Sequence, residues 1–252
     1  MEENLIPSQI KIPSRTRLST RKAKPNSETE FSFDTLSALL IRYINQLKKT
    51  GKSLTNSCAT VTTEQTSAFP KTFYVDFGTG CTTNGIIRKG KLKITFSNYI
   101  TETNSTMTVE RVDYSVNGNK VEGTIVYKNT TITQPQWTRT VTSGRFTDTK
   151  GDIYLNEGSY TIKQTEGAST PTLTDNIYQM IEGTHTVTKQ NGGKITLTIV
   201  EPLVKNYSCD YVSKGKLKVD STLLNGVIDY GNGSCDNNGT YTQNGIVFPI
   251  TM

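Results

Sequence analysis

Histidine is almost missing from this chain of 252 residues, and His185 is the only one. Serine and cysteine nucleophiles usually take their base from histidine, and no G-x-S-x-G turn is present either. His185 itself sits in Gly183-Thr184-His185-Thr186-Val187, an alternating strand pattern, and we read it as a strand residue without a catalytic task. Cysteine is scarce as well: Cys58, Cys81, Cys209 and Cys235 include no C-x-x-C pair, which argues against a zinc module. No cofactor is called for. Long apolar runs are missing too, and nothing approaches the roughly 20 residues that a helix needs to cross a bilayer. Met1-Glu2-Glu3 is acidic, and no apolar core of a signal peptide follows it.

The composition is short of hydrophobic residues (33%) and of charge (20%), and Thr, Ser, Asn and Gly fill the balance. Many strands with one wet face, joined by many turns, produce such a balance. The net charge of +6 points to nucleic acid until it is mapped. Lys11, Arg15, Arg17, Arg21, Lys22 and Lys24 all lie within a Pro- and Ser-containing leader, residues 1–30, which reads as disordered. Without those six cations the charges of the chain balance, 22 Lys and Arg against 22 Asp and Glu, and no nucleic-acid partner is expected.

Ser32 or Asp34 can cap a helix on which Leu36, Leu39, Leu40, Tyr43, Ile44 and Leu47 make an apolar stripe, ending at Lys48-Lys49 before Gly51. This places one amphipathic helix in residues 31–52, packed on the sheet. Residues 54–252 then read as a single all-β domain of about 12 strands if each has ordinary length. We expect an antiparallel meander forming a sandwich or partly open barrel. Asn-Gly dipeptides suit type I′ turns, and they join three hairpins at Asn117-Gly118, Asn191-Gly192 and Asn244-Gly245.

Several motifs occur twice. Lys89-Gly90-Lys91-Leu92-Lys93-Ile94 returns as Lys214-Gly215-Lys216-Leu217-Lys218-Val219, with companions Asp76-Phe77-Gly78-Thr79-Gly80-Cys81 and Asp229-Tyr230-Gly231-Asn232-Gly233-Ser234-Cys235. Val121-Glu122-Gly123-Thr124 likewise returns as Ile181-Glu182-Gly183-Thr184, which we read as two equivalent strand entries in one sheet system. Three chemistries are to be weighed on these repeats. Glu122 with Glu182, or Asp76 with Asp229, would be the carboxylates of a glycan-active hydrolase. Such an acid and base need unlike environments, however, whereas repeated motifs place like residues in like roles. Asp229, Asp236 and Asn238 offer oxygen ligands for calcium but lack the closing acidic residue of an EF-hand, and they otherwise read as turn caps. Lys89, Lys91, Lys93, Lys214, Lys216 and Lys218 form two stripes that could meet an anionic polymer, or simply be the wet faces of two strands.

With the paired glycine turns, the Gly-Lys strand near each and the Gly-Thr entries at Gly123 and Gly183, the chain from about Cys58 onward resembles uncharacterised β-rich lipoproteins or secreted proteins of Bacteroidota. That resemblance implies an extracytoplasmic address and no catalytic residue. A lipobox cysteine is not seen. The cysteines support the same address. Cys58 and Cys81 lie evenly about Phe69-Pro70, and Cys209 and Cys235 about Ser221-Thr222, so two reversing hairpins would bring each pair together. We predict Cys58–Cys81 and Cys209–Cys235, with Cys81–Cys235 as the competing pair, since both follow the same glycine turn. Disulfides persist in oxidising compartments. The leading expectation is a non-enzymatic envelope-associated β-protein that binds a surface polymer, such as an anionic polysaccharide, or another envelope protein. A glycan hydrolase and a structural or adhesive surface protein are the alternatives.

Overall fold

Apolar and polar residues alternate through most segments after Thr60, and strands of that kind bury one face by pairing side by side. The computed structural model describes residues 58–64, 67–83, 85–170 and 172–252. They contain fourteen strands: β1 (Thr60–Thr63), β2 (Lys71–Asp76), β3 (Cys81–Thr83), β4 (Ile86–Phe96), β5 (Thr106–Val116), β6 (Asn119–Asn129), β7 (Gln136–Thr147), β8 (Ile153–Glu166), β9 (Ile177–Lys189), β10 (Lys194–Asn206), β11 (Lys214–Ser221), β12 (Asn225–Asn232), β13 (Asn238–Gln243) and β14 (Ile246–Thr251). The basic leader and the amphipathic helix expected at residues 31–52 lie outside the described residues.

All fourteen strands belong to one antiparallel sheet in chain order, except that β2 passes directly to β4 while β3 pairs with β4 alone. The sheet is open, since β1 and β14 stand at opposite ends of the order. At Asn117-Gly118 and Asn244-Gly245 both residues have positive φ, as a type I′ turn demands. Asn191-Gly192 instead lies in a longer loop, closed by Lys189 donating its N–H to the Gly193 carbonyl. Asn225-Gly226 opens β12 and makes no turn.

One face of the sheet is apolar. Ile94 and Val219 on it are 0% exposed. Burial that complete requires the face to be covered, and sheets of this many strands curl. The buried side chains form two clusters. One draws on Phe73, Leu92, Ile94, Met107 and Ile125; the other draws on Met180, Leu197, Leu217, Val219 and Ile228.

The repeated motifs obey a pseudo-two-fold axis normal to the sheet at the pair Val141↔Gly158, where β7 meets β8. Arg139↔Tyr160 on one side answers Asn156↔Gly144 on the other. Outward from there the register repeats strand by strand. Glu110↔Thr124 matches Thr198↔Thr184, and Lys93↔Glu110 matches Lys218↔Thr198. Val75↔Leu92 then matches Ile228↔Leu217, and Val61↔Val75 matches Tyr241↔Ile228. Such an axis carries a strand onto its antiparallel neighbour without exchanging the faces. The equivalent strands therefore run in opposite chain order: β2, β4 and β5 answer β12, β11 and β10. Gly90 and Gly215 are equivalent points of close approach. A Cβ there would stand 2.1 Å from the Asp113 carbonyl oxygen or 2.2 Å from that of Pro202, and both residues have positive φ.

Disulfides join Cys58 to Cys81 and Cys209 to Cys235, with Cα separations of 5.2 and 5.6 Å. The first ties the segment before β1 to the start of β3, just beyond β2, the second joins the segments that flank the β11/β12 hairpin, and the alternative Cys81–Cys235 does not form.

Candidate functional site

The second face of the sheet is polar, because the residues alternating with the core are Thr, Ser, Lys, Glu and Asp. Hydroxyl pairs bridge neighbouring strands across this face. Thr72–Thr95, Thr138–Thr161, Thr140–Ser159, Thr184–Thr198 and Thr186–Thr196 stand 3.1–3.4 Å apart. Between them lie charge pairs: Lys93–Glu110 at 2.9 Å, Lys120–Glu122 at 2.8 Å and Lys216–Glu201 at 2.5 Å.

Near the β1 end this face sinks into a depression of about 560 Å³ lined by Cys58, Thr60, Thr62, Tyr74, Asp76, Gly78 and Lys91. Register builds it. Thr60, Asp76 and Lys91 form one cross-strand row, and Thr62, Tyr74, Lys93 and Glu110 form the next. Asp76 accepts the Gly78 N–H at 2.8 Å and meets Lys91 Nζ at 3.0 Å. The backbone bond first, and then the lysine, hold its carboxyl below the ordinary carboxylate range. Tyr74 donates its hydroxyl to Glu64 Oε1 at 2.6 Å, and that bond pushes the phenol up. Lys93 is likewise raised by its bond to Glu110. These groups keep their neutral-pH charge states, so the depression offers fixed hydrogen-bonding partners and one aromatic ring. The buried Lys205, by contrast, is lowered by desolvation, and it donates to the Cys209 carbonyl on the connection after β10.

No family model, curated protein or solved structure matches this chain.

The sequence-derived candidates separate in the structure. Glu122 lies on β6 and Glu182 on β9, three strand steps apart, or roughly 14 Å along the sheet. An inverting glycosidase pair stands about 6.5–9.5 Å apart and a retaining pair closer. Glu122 is also engaged by Lys120 and Arg145, and Glu182 accepts the Thr161 hydroxyl at 3.2 Å. Asp76 and Asp229 belong to opposite halves, and each is tied to its own lysine. Of the calcium candidates, Asp229 accepts the Gly231 N–H at 2.9 Å, and Asp236 accepts the Asn238 N–H at 2.8 Å. No group of three or more His, Cys, Asp or Glu suited to a metal occurs among the described residues. Lys91, Lys93, Lys216 and Lys218 all meet carboxylates. Lys89 and Lys214 have no ion pair among the described residues and are exposed. His185 is half-buried on β9 opposite Gly158, where a Cβ on the glycine would stand 2.6 Å from its Nδ1.

Thr60, Thr62 and Tyr74 went unremarked in the sequence. The signal that marks the two threonines is T-x-T spacing, seen at Thr60/Thr62, Thr138/Thr140/Thr142, Thr184/Thr186/Thr188, Thr196/Thr198 and Thr240/Thr242, whereas Tyr74 joins them only through register.

Proposed function

We propose that this protein is a non-enzymatic, extracytoplasmic binding protein whose polar sheet face holds an extended, hydroxyl-bearing polymer, a neutral polysaccharide. The observation that carries this reading is the neutralised polar face: ranks of threonine hydroxyls alternate with lysines already partnered by carboxylates. A polyanion would have to displace Asp76, Glu110, Glu201 or Asp220 from those lysines, and exposed ion pairs of this kind contribute little free attraction to a third partner. Sugar hydroxyls can instead join the threonine bonds directly or through water and stack on the ring of Tyr74. The two disulfides favour an oxidising compartment. The resemblance of its repeated motifs to envelope β-proteins of Bacteroidota is the support for a cell-envelope address within this reading.

A panel of immobilised polysaccharides tests this: β-glucan, xylan and mannan beside the polyanions alginate and heparin. The expected result is retention on at least one neutral polymer that survives high salt and is lost with Tyr74→Ala combined with Thr62→Val. Retention on the polyanions alone, abolished by salt, would return the site to Lys89 and Lys214.

A further inference from the structure

We infer that the polymer is gripped at two equivalent subsites, one in each half of the sheet, so that one chain binds an extended polymer bivalently; this rests on the polymer-binding reading above. The pseudo-two-fold axis maps the depression onto a second constellation. Thr60 and Thr62 on β1 correspond to Thr240 and Thr242 on β13, since Thr60↔Asp76 has the register of Thr240↔Asp229. Asp76 and Lys91 correspond to Asp229 and Lys216, through Asp76↔Lys91 and Asp229↔Lys216. The fine geometry follows. Each aspartate accepts the N–H of the glycine two residues on, at 2.8 Å from Gly78 and 2.9 Å from Gly231. Each aspartate also faces its lysine, at 3.0 and 3.9 Å.

The copies differ where a tighter and a weaker subsite would differ. Tyr74 in the first is replaced by Val227 in the second, and Lys216 is drawn toward Glu201 at 2.5 Å. The second subsite therefore has the hydroxyls and the carboxylate but lacks the ring, and it should bind the same chemistry less tightly. From β2 to β12 there are nine strand steps, a contour of about 43 Å along the sheet. A short oligosaccharide fills one subsite at a time, whereas a polymer reaches both, and the second contact is then intramolecular.

The test uses soluble mixed-linkage β-glucan and its hexasaccharide with the full chain, by titration calorimetry. Two variants each remove one hydroxyl pair while keeping shape and strand propensity: Thr60→Val with Thr62→Val, and Thr240→Val with Thr242→Val. Unchanged melting of each shows that the sheet is intact. The expected result is two hexasaccharide sites per chain in the unmodified protein and one in either variant. Affinity for the long glucan should fall at least tenfold in each variant and vanish in the combination. Unmodified protein that binds glucan with a single hexasaccharide site, or glucan affinity unmoved by the β13 variant, overturns bivalency and leaves the single-site reading standing. No binding of either probe by unmodified protein overturns both.

Discussion

Gly90 and Gly215 set the path of the two Lys-Gly-Lys strands, and each is a residue where a methyl group is not tolerated. Gly90→Ala would force a Cβ to within 2.1 Å of a backbone oxygen at φ +78. We expect a loss of more than about 2 kcal/mol in urea unfolding, against about 1 kcal/mol for Gly233→Ala, whose φ is +112 but whose surroundings are open. Equal losses at the two positions would mean that strain, and not close approach, sets the cost. Asp76 is the second informative residue. Its carboxyl is held below its ordinary value by the Gly78 N–H and then by Lys91. It therefore contributes stability that is complete above the ordinary carboxylate pKa and is lost as pH falls through the lowered folded value. Asp76→Asn should narrow the stability difference between neutral and acid pH, and parallel pH profiles for the two proteins would show that the lysine and backbone bonds carry no net effect. Tyr230 has the opposite sign. Burial raises its phenol, so its contribution is full below about pH 10 and declines as alkalinity rises beyond that. Such environments were not legible in the sequence, because Asp76 and Lys91 meet through strand register and Gly90 is explained by a carbonyl on the next strand.

At the scale of elements more could be read directly. The alternation in Lys91-Leu92-Lys93-Ile94 does mark a strand with one buried and one wet face, and Leu92 and Ile94 are buried. The hairpins at Asn117-Gly118 and Asn244-Gly245 stand where the turn chemistry puts them. The partners of the lysines did not follow from that alternation. Glu110 and Glu201 come from neighbouring strands whose register is shifted by bulges, at Lys89/Lys91 and again at Glu201/Val204, and Asp76 comes from β2, which pairs with β4 in unbroken register. A period of two says which face a residue takes, and only the register says what stands beside it. The hairpin disulfides are the elements on which this can be tested separately in each half. They close sequence separations of 23 and 26 residues. Replacing either pair by serine should cost about 3 kcal/mol in the chain-entropy description. Because the pairs lie in opposite halves with separate apolar clusters, Cys58→Ser with Cys81→Ser should enhance amide exchange mainly in β1–β4, and Cys209→Ser with Cys235→Ser mainly in β11–β13. Uniform enhancement across the sheet in both variants would show that the halves open together.

For the whole molecule the sequence showed that motifs repeat but not that they repeat in opposite chain order, because a two-fold axis normal to a sheet leaves no constant offset along the chain. The same axis leaves the ends unlike, since β14 flanks β13 beyond the last matched pair of strands. β14 carries exposed Ile246, Val247 and Phe248, a composition that invites pairing with another sheet edge. Pro249 sits in the middle of this strand opposite Thr240. Having no N–H, it cannot donate to β13, and proline in a strand turns that side toward the outer edge. The Met252 N–H, three residues on, does point inward, to the Asn237 carbonyl. The outer edge is thus left with donors at Val247 and Thr251 and none between them. We expect Pro249→Thr, which supplies the missing donor in a residue that favours strands, to raise the association state in a concentration-dependent way by light scattering, while Pro249→Thr combined with Val247→Lys stays as dispersed as the unmodified chain. If Pro249→Thr associates no more than the parent, the proline does not guard this edge, and the exposed apolar residues of β14 must be kept from self-pairing by the strand's shortness and twist.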